Sequence, residues 1–229
     1  MKIDTAFLNK IKIFFIGLGY IFLYFILSIG LQDMFYNDIS NKTNPFLSNA
    51  AMIFTDLIVL LIFIIIFRKT LIPDYYDFKK NFKNYLKNNY HYWLIGLGIM
   101  IITNNLINIV FNKLPSNETN NIQFLEAFPI SAIISFLIFA PIIEELLTKV
   151  MFKKSFKNEH IFIIFAGLIF GSLHILSANS IIECLYIIPY GALSCAFAKM
   201  YSKTNNIWTG IFFHSMHNLL ALIIIIIGG

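Results

Sequence analysis

Two adjacent carboxylates interrupt an apolar run at Ala140-Pro141-Ile142-Ile143-Glu144-Glu145-Leu146-Leu147-Thr148-Lys149, and two histidine-bearing stretches of similar character follow. Placing an ionised side chain in hydrocarbon costs several kcal/mol, roughly 2.5–3.5 on insertion scales. Such groups persist where they pair or do chemistry. Glu145 and Lys149 are four residues apart with the acid first, the favourable order for an ion pair on one helix. Glu144 has only Thr148 at the corresponding position, so its own helix offers it no counter-charge. Neighbouring helical residues diverge by ~100°, which predicts that the two glutamates face different sites. A carboxylate with no counter-ion, away from water, suits proton abstraction near neutrality. Pro141 removes a backbone donor just upstream, which predicts a kink and a freed carbonyl near Leu137.

The second stretch is Phe170-Gly171-Ser172-Leu173-His174, in which Phe170 and His174 share a helix face. Gly167 and Gly171 form a small-x-x-x-small seam that draws another helix close. The third is His214-Ser215-Met216-His217-Asn218. His214 and Asn218 lie one helical turn apart on one face. His217 is turned away from that face and reads as a packing or lipid-interface residue, although His214 with His217 also has the spacing of a metal-binding pair. Tyr190 and Ser215 are on the right helices to support these groups. A lone histidine in an apolar helix is more often a packing residue than a catalyst, so the combination carries the signal.

The elements that must position these groups are membrane spans. The chain has 229 residues, of which 58% are hydrophobic and 13% charged, far from the balance of a soluble domain. Its apolar runs predict an all-α, polytopic membrane protein with seven spans, at 11–31, 48–67, 92–112, 130–156, 160–178, 180–200 and 205–227. Runs such as Leu60-Leu61-Ile62-Phe63-Ile64-Ile65-Ile66 lack the alternation of a barrel strand.

Threading these spans from a cytoplasmic N-terminus puts Lys2, Lys10, Lys12, Arg68, Lys69, Lys79, Lys80, Lys83, Lys87, Lys153, Lys154, Lys157, Lys199 and Lys203 on the inner side. Lys42 and Lys113 fall outside. That asymmetry obeys the positive-inside rule. The net charge of +5 then reads as topology and contact with anionic lipid, not nucleic-acid binding. The first apolar run is too long for a signal peptide and lacks an Ala-x-Ala cleavage site, so it reads as an uncleaved span. Cys184 and Cys195 lie on one expected helix, about three turns apart, and cannot bridge each other.

The expected organisation is one integral membrane domain over 1–229. Residues 1–127 form accessory spans with a cytoplasmic interfacial helix, and 128–229 form the core that bears the motifs. Between spans two and three, Phe78, Phe82, Tyr85 and Leu86 recur at helical spacing opposite Lys79, Lys80, Lys83 and Lys87. Aromatics interleaved with basic residues also occur in single-stranded nucleic-acid binders. Beside a membrane they predict a helix lying in the interface plane. Asp56 reads as a polar group bonded to a neighbour or near the interface, and Asn104, Asn105 and Asn108 as interhelical hydrogen-bond donors. Counted from the span starts, Glu144, His174, His214 and Asn218 reach one depth if span four continues to about Phe156.

Glu-Glu followed by a basic residue at i+4, then Phe-x-x-x-His, then His-x-x-x-Asn resembles the motif series of the CPBP intramembrane proteases. That family includes the type II CAAX prenyl endopeptidases and bacterial bacteriocin-processing or immunity proteins. The resemblance runs from about Phe128 to Leu222 and includes Ala140-Pro141 and the Trp208–Asn218 stretch. It departs at Lys149, where the family has arginine, and at Val150, where glycine is usual. Lysine keeps the charge but not the two-pronged donor geometry. The resemblance implies that Glu144 and His174 activate a water for attack on a peptide carbonyl while His214 and Asn218 steady the oxyanion, with Glu145, Lys149 and Phe170 in support. It leaves a second mechanism open, in which Glu144, His174 and His214 bind a catalytic zinc ion. The metal-free version gives Asn218 a task and is the one favoured here.

Three function classes follow. The first is an intramembrane endopeptidase acting on a membrane-bound peptide or protein. The second is a non-proteolytic immunity or scaffold protein that keeps the protease fold, admitted by Lys149. The third is a proton-coupled transporter, which lacks support because no inverted repeat or paired broken helices are present. Membrane lipid is the other expected partner. The richness in Asn, Lys and Ile points to an AT-rich genome and a bacterial cell membrane, where a prenylated substrate is out of place and bacteriocin or signalling peptides fit better. The sequence fixes no oligomeric state.

Overall fold

A computed structural model describes residues 5–39 and 45–228, and Lys2 and Lys42 of the topology expectation lie outside them. Among the described residues the chain is helical without strands. Helix α1 spans Thr5–Ile39, α2 Pro45–Phe111 and α3 Ser116–Ala127. A continuous helix over Pro129–Ser155, α4, carries the glutamates. Then come α5 (Glu159–His174), a 3-10 turn at Glu183–Tyr186, α6 (Ile187–Thr204) and α7 (Ile207–Gly228). The chain is an all-α membrane protein. Four described helical stretches are long and apolar enough to cross a bilayer: Thr5–Phe35, Phe46–Phe111, Pro129–Ser155 and Ile207–Gly228. The second, at 66 residues, is about three times the length one crossing needs, at ~20 residues.

The segment read as a separate interfacial helix is continuous with the spans on either side. Helix α2 runs through it and bends at Asn81 (φ −108°, ψ 16°). Phe78 and Phe82 pack against Phe212 of α7, with ring centroids 6.0 and 5.3 Å away. Lys79, Lys80, Lys83 and Lys87 remain exposed on the other side. The expected boundary of the fifth span is corrected too. The helix expected over 160–178 ends at His174, and the next expected at 180 starts at Ile187. The connection is held by polar bonds that a helix would forbid: the Asn179 amide donates to Glu183, and the Glu183 amide to the Ser180 hydroxyl.

Close helix contact fixes the core. A Cβ added at Gly171 would lie 2.6 Å from the Ile187 carbonyl oxygen, and one at Gly167 would lie 2.8 Å from that of Gly191. Only glycine lets α5 and α6 approach this near, so the seam read from the sequence is real. Asn158 caps α5 by accepting from the His160 and Ile161 amides at 2.8 and 3.3 Å. Asn205 takes a left-handed conformation (φ 53°) to turn α6 into α7. At that end Lys153 donates to Tyr201 and Asn205, and Asn206 donates to Asp74 and Asp77. Phe14 of α1 packs on Phe152 and Phe156 there.

The opposite end is tied by Glu183. It accepts from the Ser116 amide and hydroxyl and pairs with Lys113 at 3.3 Å. These donors, Ser116 foremost, draw its carboxyl down to about 2. The tie is therefore intact across the neutral range and loosens only as pH falls from the ordinary carboxylate range toward 2. It holds the start of α3 against the turn before α6.

Candidate active site

Helix α4 leaves the α register twice, with π turns at Ser135–Phe139 and Leu146–Val150 on either side of the glutamates. Such turns are rare and concentrate at functional sites. The first explains how Pro141 is accommodated. In the π register Ala140 donates to the Ser135 carbonyl, so the carbonyl that Pro141 leaves without a donor in that register is that of Phe136, beside Leu137. Asn218 of α7 fills the gap by donating from Nδ2 to the Phe136 oxygen at 2.9 Å.

The two glutamates do not face different sites. His214 lies between them. Its Nδ1 is 3.2 Å from Glu145 Oε1, and its Nε2 is 3.6 Å from Glu144 Oε2. The ~100° divergence of neighbouring residues is spanned by an imidazole that presents a nitrogen to each. Glu145 and Lys149 form the expected pair at 2.8 Å, and both side chains are fully buried. The Lys149 ammonium also donates to Thr148 at 3.0 Å and lies 5.1 Å from the Phe170 ring centroid. The Thr148 hydroxyl is spent on the Glu144 backbone carbonyl at 2.6 Å. Gly210 makes room for this cluster, since a Cβ there would stand 2.7 Å from Glu145 Oε2.

His174 is the last residue of α5. Its Nδ1 is 2.9 Å from the Phe170 carbonyl oxygen. A carbonyl only accepts, so Nδ1 carries the proton and Nε2 is free to accept. That nitrogen lies 4.0 Å from Glu144 Oε2. Phe170 stacks on the His174 ring at 4.2 Å and meets the His214 ring edge-on at 5.5 Å. Tyr190 covers another side of His174, with centroids 4.7 Å apart. The structure thus brings Glu144, Glu145, Lys149, Phe170, His174 and His214 into one cluster, with Asn218 on the wall of the same cavity.

That cavity has a volume of about 380 Å³. Several of its walls were invisible in the sequence. Tyr24 of α1 and Met100 and Asn104 of α2 line it, although the first three spans read as almost devoid of chemistry. Asn117, Glu118 and Asn121 of α3 close its upper side. His217, read as a packing or lipid-facing residue, lines the cavity as well, and its Nδ1 lacks a hydrogen-bond partner among the described residues. No spacing rule marks wall residues contributed by other helices. Asn105, expected to bond between helices, instead donates to Ile101 of its own helix at 2.8 Å. Asp56 accepts from Ser135 of α4, in line with the bonded-neighbour reading. Cys184 and Cys195 are both free thiols.

His174 Nε2 and Glu144 Oε2 are 4.0 Å apart, and His214 Nε2 and Glu144 Oε2 3.6 Å, against roughly 3.4 Å between neighbouring ligands of a tetrahedral zinc with bonds of ~2.0–2.1 Å. Among the described residues no three His, Cys, Asp or Glu side chains form a metal-holding group.

Residues 126–220 match the family model Rce1-like, type II CAAX prenyl endopeptidase Rce1-like. Over 115 residues the chain is 31% identical to the "Putative membrane peptidase YdiL" of Bacillus subtilis (strain 168), a match covering 46% of this chain and 43% of that protein. The chain therefore spans less than half the length of this relative. No solved structure matches.

Proposed function

We propose, from the match of residues 126–220 to the Rce1-like family model, that the chain is an intramembrane endopeptidase cutting a membrane-associated peptide or protein. The observation that carries this reading is the convergence of Glu144 Oε2 on His214 and His174 at 3.6 and 4.0 Å, at the wall of a cavity large enough for a peptide segment.

The charge count supports a metal-free mechanism. Two carboxylates, Glu144 and Glu145, are buried with the Lys149 ammonium, so one further proton makes the cluster neutral. Glu144 and His214 Nε2 are placed to share it. With that proton on His214, Glu144 takes one proton from the attacking water while Nε2 of His174, 4.0 Å from Glu144 Oε2, accepts a hydrogen bond from the other. The water oxygen bonds to the peptide carbon. His214 Nε2–H faces the oxygen on which charge grows, and the second Nδ2 hydrogen of Asn218 adds a donor. The peptide C–N bond then breaks, and the proton taken from water passes to the leaving amine. Glu145 holds the His214 ring through Nδ1, Lys149 balances Glu145, and Phe170 fixes both histidine rings from the side.

A second reading rests on Lys149 and Val150 standing where the family has arginine and glycine: a membrane immunity or scaffold protein with the fold and no turnover. The N-terminus faces the cytoplasm of a bacterial cell in either case, on the strength of the lysine distribution. Peptide profiles of membranes bearing the wild type and Glu144→Ala, compared by mass spectrometry, distinguish the two readings. The endopeptidase reading expects membrane peptides whose new termini vanish in the variant. Identical profiles with undiminished biological activity support the scaffold.

A further inference from the structure

The two ends of the helix bundle differ in a way that the proposed reaction does not require. At one end lie the bend of α2 with its exposed lysines, the Lys153 contacts to Tyr201 and Asn205, and the Lys199–Glu159 pair at 2.8 Å. By the positive-inside rule this end is cytoplasmic. At the other end, Lys113 is the cation among the described residues, held by Glu183.

The residues lining the cavity lie to one side of the catalytic cluster. On every helix, its wall residues continue from the catalytic cluster away from the lysine-rich end. On α7 they run from His214 through Asn218 to Ile225, and on α4 from Glu144 back to Ser135. Tyr190 near the start of α6 and the polar face of α3 complete the mouth. Below the cluster, toward the lysines, the bundle is solid. Leu146, Leu147, Val150, Phe152 and Ile207 are each at most 2% exposed, and Trp208 is anchored there by its bond to the Leu71 carbonyl at 2.8 Å. A peptide has no route through that packing.

We infer that the site is served from the outer face of the membrane, and that its substrate is an unwound peptide segment reaching inward from that side. This rests on the endopeptidase reading and adds to it the direction of entry and the form of the substrate. The mouth presents carboxamides from three helices: Asn104 of α2, Asn117 and Asn121 of α3, and Asn218 of α7. Each offers a donor and an acceptor, which matches an extended backbone whose amide and carbonyl groups have lost their helical partners. Asn104 Oδ1 is buried without a hydrogen-bond partner among the described residues. A lipid chain would offer the Asn104 oxygen no donor.

The test is labelling of single cysteines in intact cells with a membrane-impermeant maleimide, in a background with both native thiols removed (Cys184→Ser and Cys195→Ser). Position 121 (Asn121→Cys) reports the cavity mouth, position 120 (Asn120→Cys) the exposed side of α3, and position 203 (Lys203→Cys) the opposite end. The inference expects at least tenfold more labelling of 121 and 120 in intact cells than of 203, with 203 reacting only after permeabilisation. Reaction of 121 only after permeabilisation, or no reaction at 121 while 120 labels, overturns it. Labelling reads access and not turnover, so this result and the peptide profiles of Glu144→Ala succeed or fail separately.

Discussion

Replacing Glu144 with Gln is expected to lower the cleavage rate by about 10²–10⁴-fold, the range typical of a lost general base, while the protein accumulates in the membrane and melts as the wild type does. The carboxamide has nearly the same shape, and Glu144 Oε2 makes no hydrogen bond among the described residues, its histidine neighbours lying at 3.6 and 4.0 Å. Only the ability to take a proton is lost. His174→Ala and His214→Ala are expected to lose comparable rate. His214→Ala should also cost stability, because it removes the group bonded to the fully buried Glu145. Rate of cleavage of a peptide identified by mass spectrometry, set against thermal melting in detergent, measures both. Full activity in Glu144→Gln would remove this carboxylate from the mechanism.

Lys149→Met is expected to have the largest effect on stability. Lys149 and Glu145 are both fully buried, so losing the ammonium strands a carboxylate in an apolar environment, at a cost of about 3–5 kcal/mol. Methionine fills similar volume, so the loss is of charge rather than packing. The double variant Glu145→Gln with Lys149→Met should regain most of that stability, since no unpaired charge remains. It should not regain activity, because a neutral amide holds His214 less firmly in its orientation and the cluster loses its charge balance. Lys149→Arg, by contrast, keeps the charge and is expected to retain function. Thermal melting across the three variants, with cleavage measured alongside, separates the structural role of the pair from its role beneath His214. Unchanged melting in Lys149→Met would show that Glu145 is stabilised by something other than this lysine.

The chemistry was legible in the sequence because it repeats at helical spacing. Glu145 with Lys149, Phe170 with His174, and His214 with Asn218 are each separated by four residues, and each pair lies on one face of its helix. The common depth followed from counting, and α4 reaches Ser155 as that count requires. Spacing could not reveal the π turns. They put a free carbonyl at Phe136, where Asn218 donates to it. Nor could it show an imidazole bridging two neighbouring glutamates, because a rule for directions from one helix does not include the width of a ring arriving from another. The walls from Tyr24, Asn104 and His217, and the α3 cover, depend on how helices are placed against one another. Gly210 carried no signal at all, yet a methyl group there would meet Glu145. The bend at Asn81 was hidden for another reason: the flanking segments are helical on both sides, and no proline or glycine stands at the bend itself.

The central claim is that Glu144 and His174 act together on one water. The most direct test is the cleavage rate of purified, reconstituted protein as wild type, Glu144→Gln, His174→Ala and the double variant. Groups that act as a unit are strongly non-additive, so the double variant should be about as slow as the slower single one. Two losses that multiply would contradict the claim, and a double variant that still cleaves at the wild-type rate would end it.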